Sequence, residues 1–135
     1  MELDLEQMMF LIQRRYRVLQ EIDKLTSELQ EAVTRNDTVS ASLLLDMRAD
    51  QIEESDRCWQ EIWMMSEKGS EAASAVRELM RSDPAAVRPT GSFEEQKIYE
   101  IRRKTEKLIK VIQEKDRNLN RRVGGGQSYY VKANK

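Results

Sequence analysis

Between Met1 and Asp83 the chain contains one glycine, Gly69, and no proline. Both prolines and the other four glycines lie at or beyond Pro84. Folds made of short strands need such turn residues every few positions, so a long stretch without them favours long helices. The 135 residues suffice for one domain. Apolar residues make up 39% of the chain and charged residues 35%. That is too apolar for a disordered chain, and the high charge suits a thin helical bundle with much surface.

Apolar spacing places the helices. Leu5, Met8, Met9, Ile12, Tyr16, Leu19, Ile22, Leu29 and Val33 recur at three- and four-residue steps, which predicts a first helix over about 3–35. Thr26 fills one heptad position of this stripe, and Arg15 interrupts another. Asn36-Asp37-Thr38 are turn and N-cap residues, and so short a connection folds the next helix back antiparallel. The second helix is expected over 39–68, stopping at Gly69. Its main stripe is Ala41, Leu45, Ile52, Trp59 and Trp63. Leu44, Met47, Cys58, Ile62 and Met65 form a second apolar flank, so two neighbouring elements are expected. Ser70 is expected to cap a short third helix over 71–81. Residues 82–91 hold both prolines and read as a linker. Ser92-Phe93-Glu94-Glu95 is a capping-box pattern ahead of a fourth helix over 93–122, with Ile98, Ile101, Leu108, Ile112 and Leu119 as its stripe. Thr105 and Lys115 interrupt that stripe. It therefore fits either a permanent bundle member or an arm displaced by a competing amphipathic helix. Gly124-Gly125-Gly126 end the helix.

The expected fold is thus all-α: an elongated antiparallel helical hairpin or bundle of three long helices plus one short helix. It forms a single helical domain over 1–122 with a flexible C-terminal tail over 123–135.

The same residues argue against most chemistry. There is no histidine, and Cys58 is the single cysteine, so neither a disulfide nor a Cys/His metal site nor a histidine-based nucleophile pair is expected. No phosphate-loop or dinucleotide fingerprint occurs. Glu53, Glu54 and Asp56 cluster on the second helix, where a solvated charged face explains them. Trp59 and Trp63, four residues apart, are expected to be buried between helices, with a partner-binding anchor as the alternative. From Lys97 onward 12 basic residues face 4 acidic ones, whereas residues 1–96 hold 11 basic and 20 acidic. Two attracting parts of one bundle explain this balance. The basic segment lacks a nucleic-acid motif, and no nucleic-acid partner is expected. The N-terminal residues MELDLEQMMFLIQRRYR lack the pattern of a secretory signal, and no apolar run is long enough for a membrane span. A cytoplasmic protein without membrane insertion, metal or cofactor is expected, binding other proteins and not acting as an enzyme.

The stretches Ala32-Val33-Thr34-Arg35-Asn36-Asp37-Thr38-Val39-Ser40 and Leu44-Leu45-Asp46-Met47-Arg48-Ala49-Asp50-Gln51-Ile52 resemble the hairpin of flagellar export chaperones of the FlgN and FliT type. The ending Leu119-Asn120-Arg121-Arg122-Val123-Gly124-Gly125-Gly126, followed by a tyrosine-containing tail, is similar to their C-terminus. The resemblance implies a bacterial type III export chaperone. It would bind hook–filament junction or filament-cap subunits before secretion and deliver them to the export apparatus. It further implies client contacts on the C-terminal helix and an adjoining flank: Ile101, Leu108, Ile112 and Leu119, with Trp63 and Met65 on the second helix. Tyrosines near the C-terminus are implicated in reaching the export gate. Here these are Tyr129 and Tyr130, which lie beyond the glycines and not within the helix. The alternative is a structural coiled-coil adaptor whose long stripe drives self-association, for instance as a homodimer.

Overall fold

The computed structural model describes residues 3–86 and 91–123. Among these the fold is all-α: α1 (Leu5–Thr34), α2 (Thr38–Met64), a 3-10 turn (Met65–Lys68), α3 (Ser70–Arg81) and α4 (Phe93–Val123). The tail, with Tyr129 and Tyr130, lies outside the described residues.

Local chemistry sets each boundary. The Asp4 carboxylate accepts the Gln7 N–H at 3.0 Å and caps α1. At the far end, Asn36 adopts a left-handed φ of 58°. The Asp37 N–H reaches Ala32 O at 2.8 Å, and the Asn36 N–H reaches Val33 O at 3.0 Å. These are the two bonds of a Schellman stop, with asparagine where glycine is usual. Asp37 then starts α2, accepting the Ser40 N–H at 3.0 Å and the Ser40 hydroxyl at 2.6 Å. These bonds hold its carboxyl below the usual range. One residue thus ends a helix and the next begins another, which fixes the antiparallel hairpin. Asn36→Val is expected to cost about 1–2 kcal/mol, because a β-branched residue resists the left-handed region, whereas Asn36→Gly is expected to be neutral or stabilising. Urea denaturation of the two variants checks this order.

The third helix departs from expectation at its start. Gly69, at φ 139°, occupies the N-cap position, and Ser70 is already helical with no side-chain cap. The backbone must turn sharply out of the 3-10 segment, and the positive φ suits glycine. For α4, the Ser92 hydroxyl accepts the Glu95 N–H at 3.2 Å, the forward half of the expected capping box.

The element order lays two long rods, α2 and α4, along α1. α2 packs back along α1, and α4 also packs along α1, while the backbones of α2 and α4 make far less contact with each other. α4 runs parallel to α1. Its start, Ile98 to Ile101, meets Met8, Leu11 and Ile12, and its end, Leu119, meets Leu29 and Ala32. α3 folds across the end where α1 begins and adds Val76 and Leu79 to that cluster.

The core divides into three apolar layers. Met8, Leu11, Ile12, Ile62, Met65, Val76, Leu79, Ile98, Tyr99 and Ile101 form the first. Leu19, Ile22 and Ile112 form the middle layer, flanked by Leu108 and Ile109. Leu29, Ala32, Ala41 and Leu119 form the last. Polar groups sit between the layers and are bonded to one another. The Thr26 hydroxyl returns to Ile22 O at 2.7 Å, and the Thr105 hydroxyl to Ile101 O at 2.8 Å. Arg48 Nε donates to Thr26 Oγ1 at 2.9 Å, and its Nη2 meets both Asp116 oxygens at 3.2 Å. Lys115 Nζ donates to Asp23 at 2.6 Å and to the Ser27 hydroxyl at 2.8 Å. Two residues that interrupt the stripes thus join helices: Thr26 receives Arg48 of α2, and Lys115 ties α4 to α1.

One expectation about α2 is corrected. Its row toward the core is Ala41, Arg48, Ser55 and Ile62, with Cys58 beside it. Of the expected stripe Ala41 is in this row, whereas Ile52 and Trp59 are each 38% exposed. Polar partners explain the rotation: Arg48 is buried because Thr26 and Asp116 receive its donors, and Ser55 is small enough for close approach. Ile52 and Trp59 are left on the flank that looks toward α4.

Glu54 is likewise more than a solvated charge. It receives Arg14 of α1 at 2.5 Å and Arg57 at 2.6 Å. The bond from Arg57, and then the charge of Arg14, keep its carboxyl below the usual range. A depressed carboxyl stabilises the fold fully above the ordinary value near pH 4, and this is lost as pH falls through the lower folded value. Wild type is expected to lose more melting temperature between about pH 6 and about pH 2 than Glu54→Gln, and equal losses would contradict the clamp.

Candidate helix-binding groove

α2 and α4 share apolar layers at the two ends of the bundle and the Arg48–Asp116 ion pair, and between these a furrow opens over α1. Its floor is α1, at Ile12, Arg15, Leu19 and Ile22. One wall is α2, at Ile52, Ser55 and Trp59, and the other is α4, at Thr105, Ile109 and Ile112. Ile109 borders both the upper and the lower hollow, so the two are neighbours along the same groove between the helices. Met80 and Arg102 close the upper end, and Arg48, bridging to Asp116, crosses the lower end. From Ile12 to Ile22 the floor spans about 15 Å, the length of a three-turn helix.

The lining is mostly apolar, with the Arg15 guanidinium as the one charge on the floor among the described residues. Trp59 and Trp63 meet edge to face, with centroids 5.9 Å apart and planes at 73°. Arg15 stacks over the Trp59 ring at 4.6 Å from its centroid, and Arg81 over Trp63 at 5.2 Å. Arg102 Nη1 donates to Leu79 O at 2.8 Å and Ser82 O at 2.7 Å, tying α4 to the end of α3. Arg15 Nε is buried with no hydrogen-bond partner, and burial lowers the guanidinium's pKa from its ordinary value.

The residues expected to touch a client lie mostly in the core. Ile101, Ile112, Leu119 and Met65 are buried, while Leu108 and Trp63 are half-buried. Ile112 alone among them also borders the furrow. The other five are spread through all three apolar layers and form no common surface. Sequence reasoning missed Ile109 and Arg15 as lining residues. The signals were present: Ile109 follows Leu108, doubling the apolar width of α4, and Arg15 occupies a heptad position otherwise held by Met8, Ile22 and Leu29.

A second apolar surface lies elsewhere on α2. Val39, Leu43 and Met47 stand four residues apart and are 81%, 60% and 43% exposed. They point away from the furrow. The Cys58 thiol is buried, and its pKa is raised by desolvation, which leaves it a poor nucleophile. Among the described residues no cluster of three or more His, Cys, Asp or Glu could hold a metal ion, and no helix is long and apolar enough to cross a membrane. Comparison with protein-family models, with curated proteins and with solved structures finds no match for the chain.

Proposed function

We propose that the chain is a cytoplasmic chaperone of the flagellar export type, and that it holds an amphipathic client helix in the furrow between α2 and α4. The observation that carries this reading is the apolar lining of the furrow, with Ile52 and Trp59 exposed and Ile109 half-buried beside them. A client helix laid there would complete a four-helix arrangement and bury apolar surface on both partners. The docked state of α4 bears on the mode of binding. Ile101, Leu108, Ile112 and Leu119 hold α4 on α1, and their packing forms one wall of the furrow. Binding then needs no displacement of α4. The clients are hook–filament junction or cap subunits. Tyr129 and Tyr130 are proposed as the export-gate contact.

Co-purification with those subunits tests the reading. Wild type is expected to retain a junction or cap subunit on a column, and Ile109→Asp to release it while keeping its helical content. Retention of none of these subunits by wild type would overturn it. The exposed row Val39, Leu43 and Met47 favours a second reading, an adaptor that self-associates along α2. Light scattering that shows a tight dimer, dissociated by Leu43→Asp, would support that reading.

A further inference from the structure

We propose that the furrow selects a helix carrying a carboxylate within its apolar face, and that Arg15 is the residue that selects it. This rests on the furrow being the client site.

Arg15 stands in the part of α1 that faces the bundle. Its heptad companions Met8, Ile22 and Leu29 are at most 4% exposed. A leucine would fill the same place at no electrostatic cost. The chain instead half-buries a guanidinium there. The other cations at these helix interfaces have acceptors: Arg48 has Asp116, Lys115 has Asp23, and Arg102 has two carbonyls. Arg15 enters none of the hydrogen bonds or ion pairs of the described residues. Asp56 and Cys58 act on it only through space, and Glu106, which borders the same hollow, sits 4.0 Å from Arg102.

Leaving the buried Arg15 Nε without an acceptor is unfavourable unless one arrives. The Trp59 ring fixes the guanidinium plane from one face, which leaves its edge to donate. A planar fork held this way matches a carboxylate better than any neutral group. The occupant that fits is an amphipathic helix with Leu- or Ile-like residues against Ile52, Leu19 and Ile109, and one Asp or Glu above Arg15. A helix with an all-apolar face would leave Arg15 unpaired in a dry interface, so it is rejected.

The test displays a library of 15-residue helical peptides, randomised on one face, to the full chain. Wild type is expected to enrich Asp or Glu at a single position amid apolar residues. Changing that residue to Gln or Asn in an enriched peptide is expected to weaken binding about 10- to 100-fold. Against Arg15→Leu the enrichment should vanish in favour of apolar residues, and the variant should melt higher than wild type. Arg15→Lys keeps the charge but not the fork, and should prefer the carboxylate more weakly. Peptides that need Ile109 yet show no carboxylate preference would overturn this proposal alone, as would the same preference persisting in Arg15→Leu. A lower melting temperature for Arg15→Leu would mean that Arg15 merely supports Trp59, and would also overturn it. Failure to enrich any peptide, or peptides indifferent to Ile109→Asp, would instead overturn the furrow as the binding site.

Discussion

Asp116→Ala is expected to lower the stability of the folded chain by about 3 kcal/mol, or roughly 10 °C in melting temperature for a chain of this length. Arg48 is the reason. Its side chain is 8% exposed, between α1, α2 and α4. Removing the carboxylate leaves a guanidinium in a place that water barely reaches, with the desolvation cost in force and the main compensating charge gone. The pair's own contribution is a different quantity. Arg48→Met combined with Asp116→Leu removes both charges and is expected to fall within about 1 kcal/mol of wild type, or above it. Urea denaturation of the two variants separates these cases. A cost below about 1 kcal/mol for Asp116→Ala would show that the pair behaves as an exposed surface bridge. The strut also closes the lower end of the furrow, so its loss should weaken client binding together with stability.

Leu119→Ala is expected to cost about 3 kcal/mol, and Leu108→Ala about 1 kcal/mol. Leu119 is fully buried among Leu29, Ala32 and Ala41 in the last of the three layers, where two of its neighbours are alanines and cannot extend to fill a cavity. Leu108 is only half-buried beside the middle layer, and water can occupy part of the space it vacates. Both belong to the α4 stripe that the sequence suggests for client contact. If that stripe faced a client in the free protein, neither truncation would move stability. Thermal melts of the two variants decide between a packed and an unpacked α4.

The helices themselves are legible from the sequence because their determinants are local. Asp37, Ser92 and Gly69 act within a few residues of where they stand, and the helix ends fall within a few residues of expectation. The rotation of α2 is not legible in that way. An apolar stripe of Ala41, Leu45, Ile52, Trp59 and Trp63 looks like the buried face until Arg48 is seen to have two acceptors, one of them 68 residues away at Asp116. Partners that distant leave no trace in periodicity. Lys115, whose acceptors Asp23 and Ser27 lie on α1, looks like a break in a stripe for the same reason. The furrow follows from that rotation, because turning α2 by part of a turn moves Ile52 and Trp59 out of the core and onto a wall. The residues expected to bind a client were chosen by apolar character on α4, and apolar character marks a core residue as readily as a contact.

Trp59 and Trp63 are the chain's two tryptophans, and Trp59 lines the furrow at 38% exposure. Tryptophan emission during titration with the terminal helix of a junction or cap subunit therefore reports directly on the furrow. A client helix seated between α2 and α4 covers Trp59, so emission should shift to shorter wavelength and saturate at one helix per chain, and Ile109→Asp should abolish the shift. Binding of the helix with no change in emission, or a shift that survives Ile109→Asp, would contradict a client site between α2 and α4.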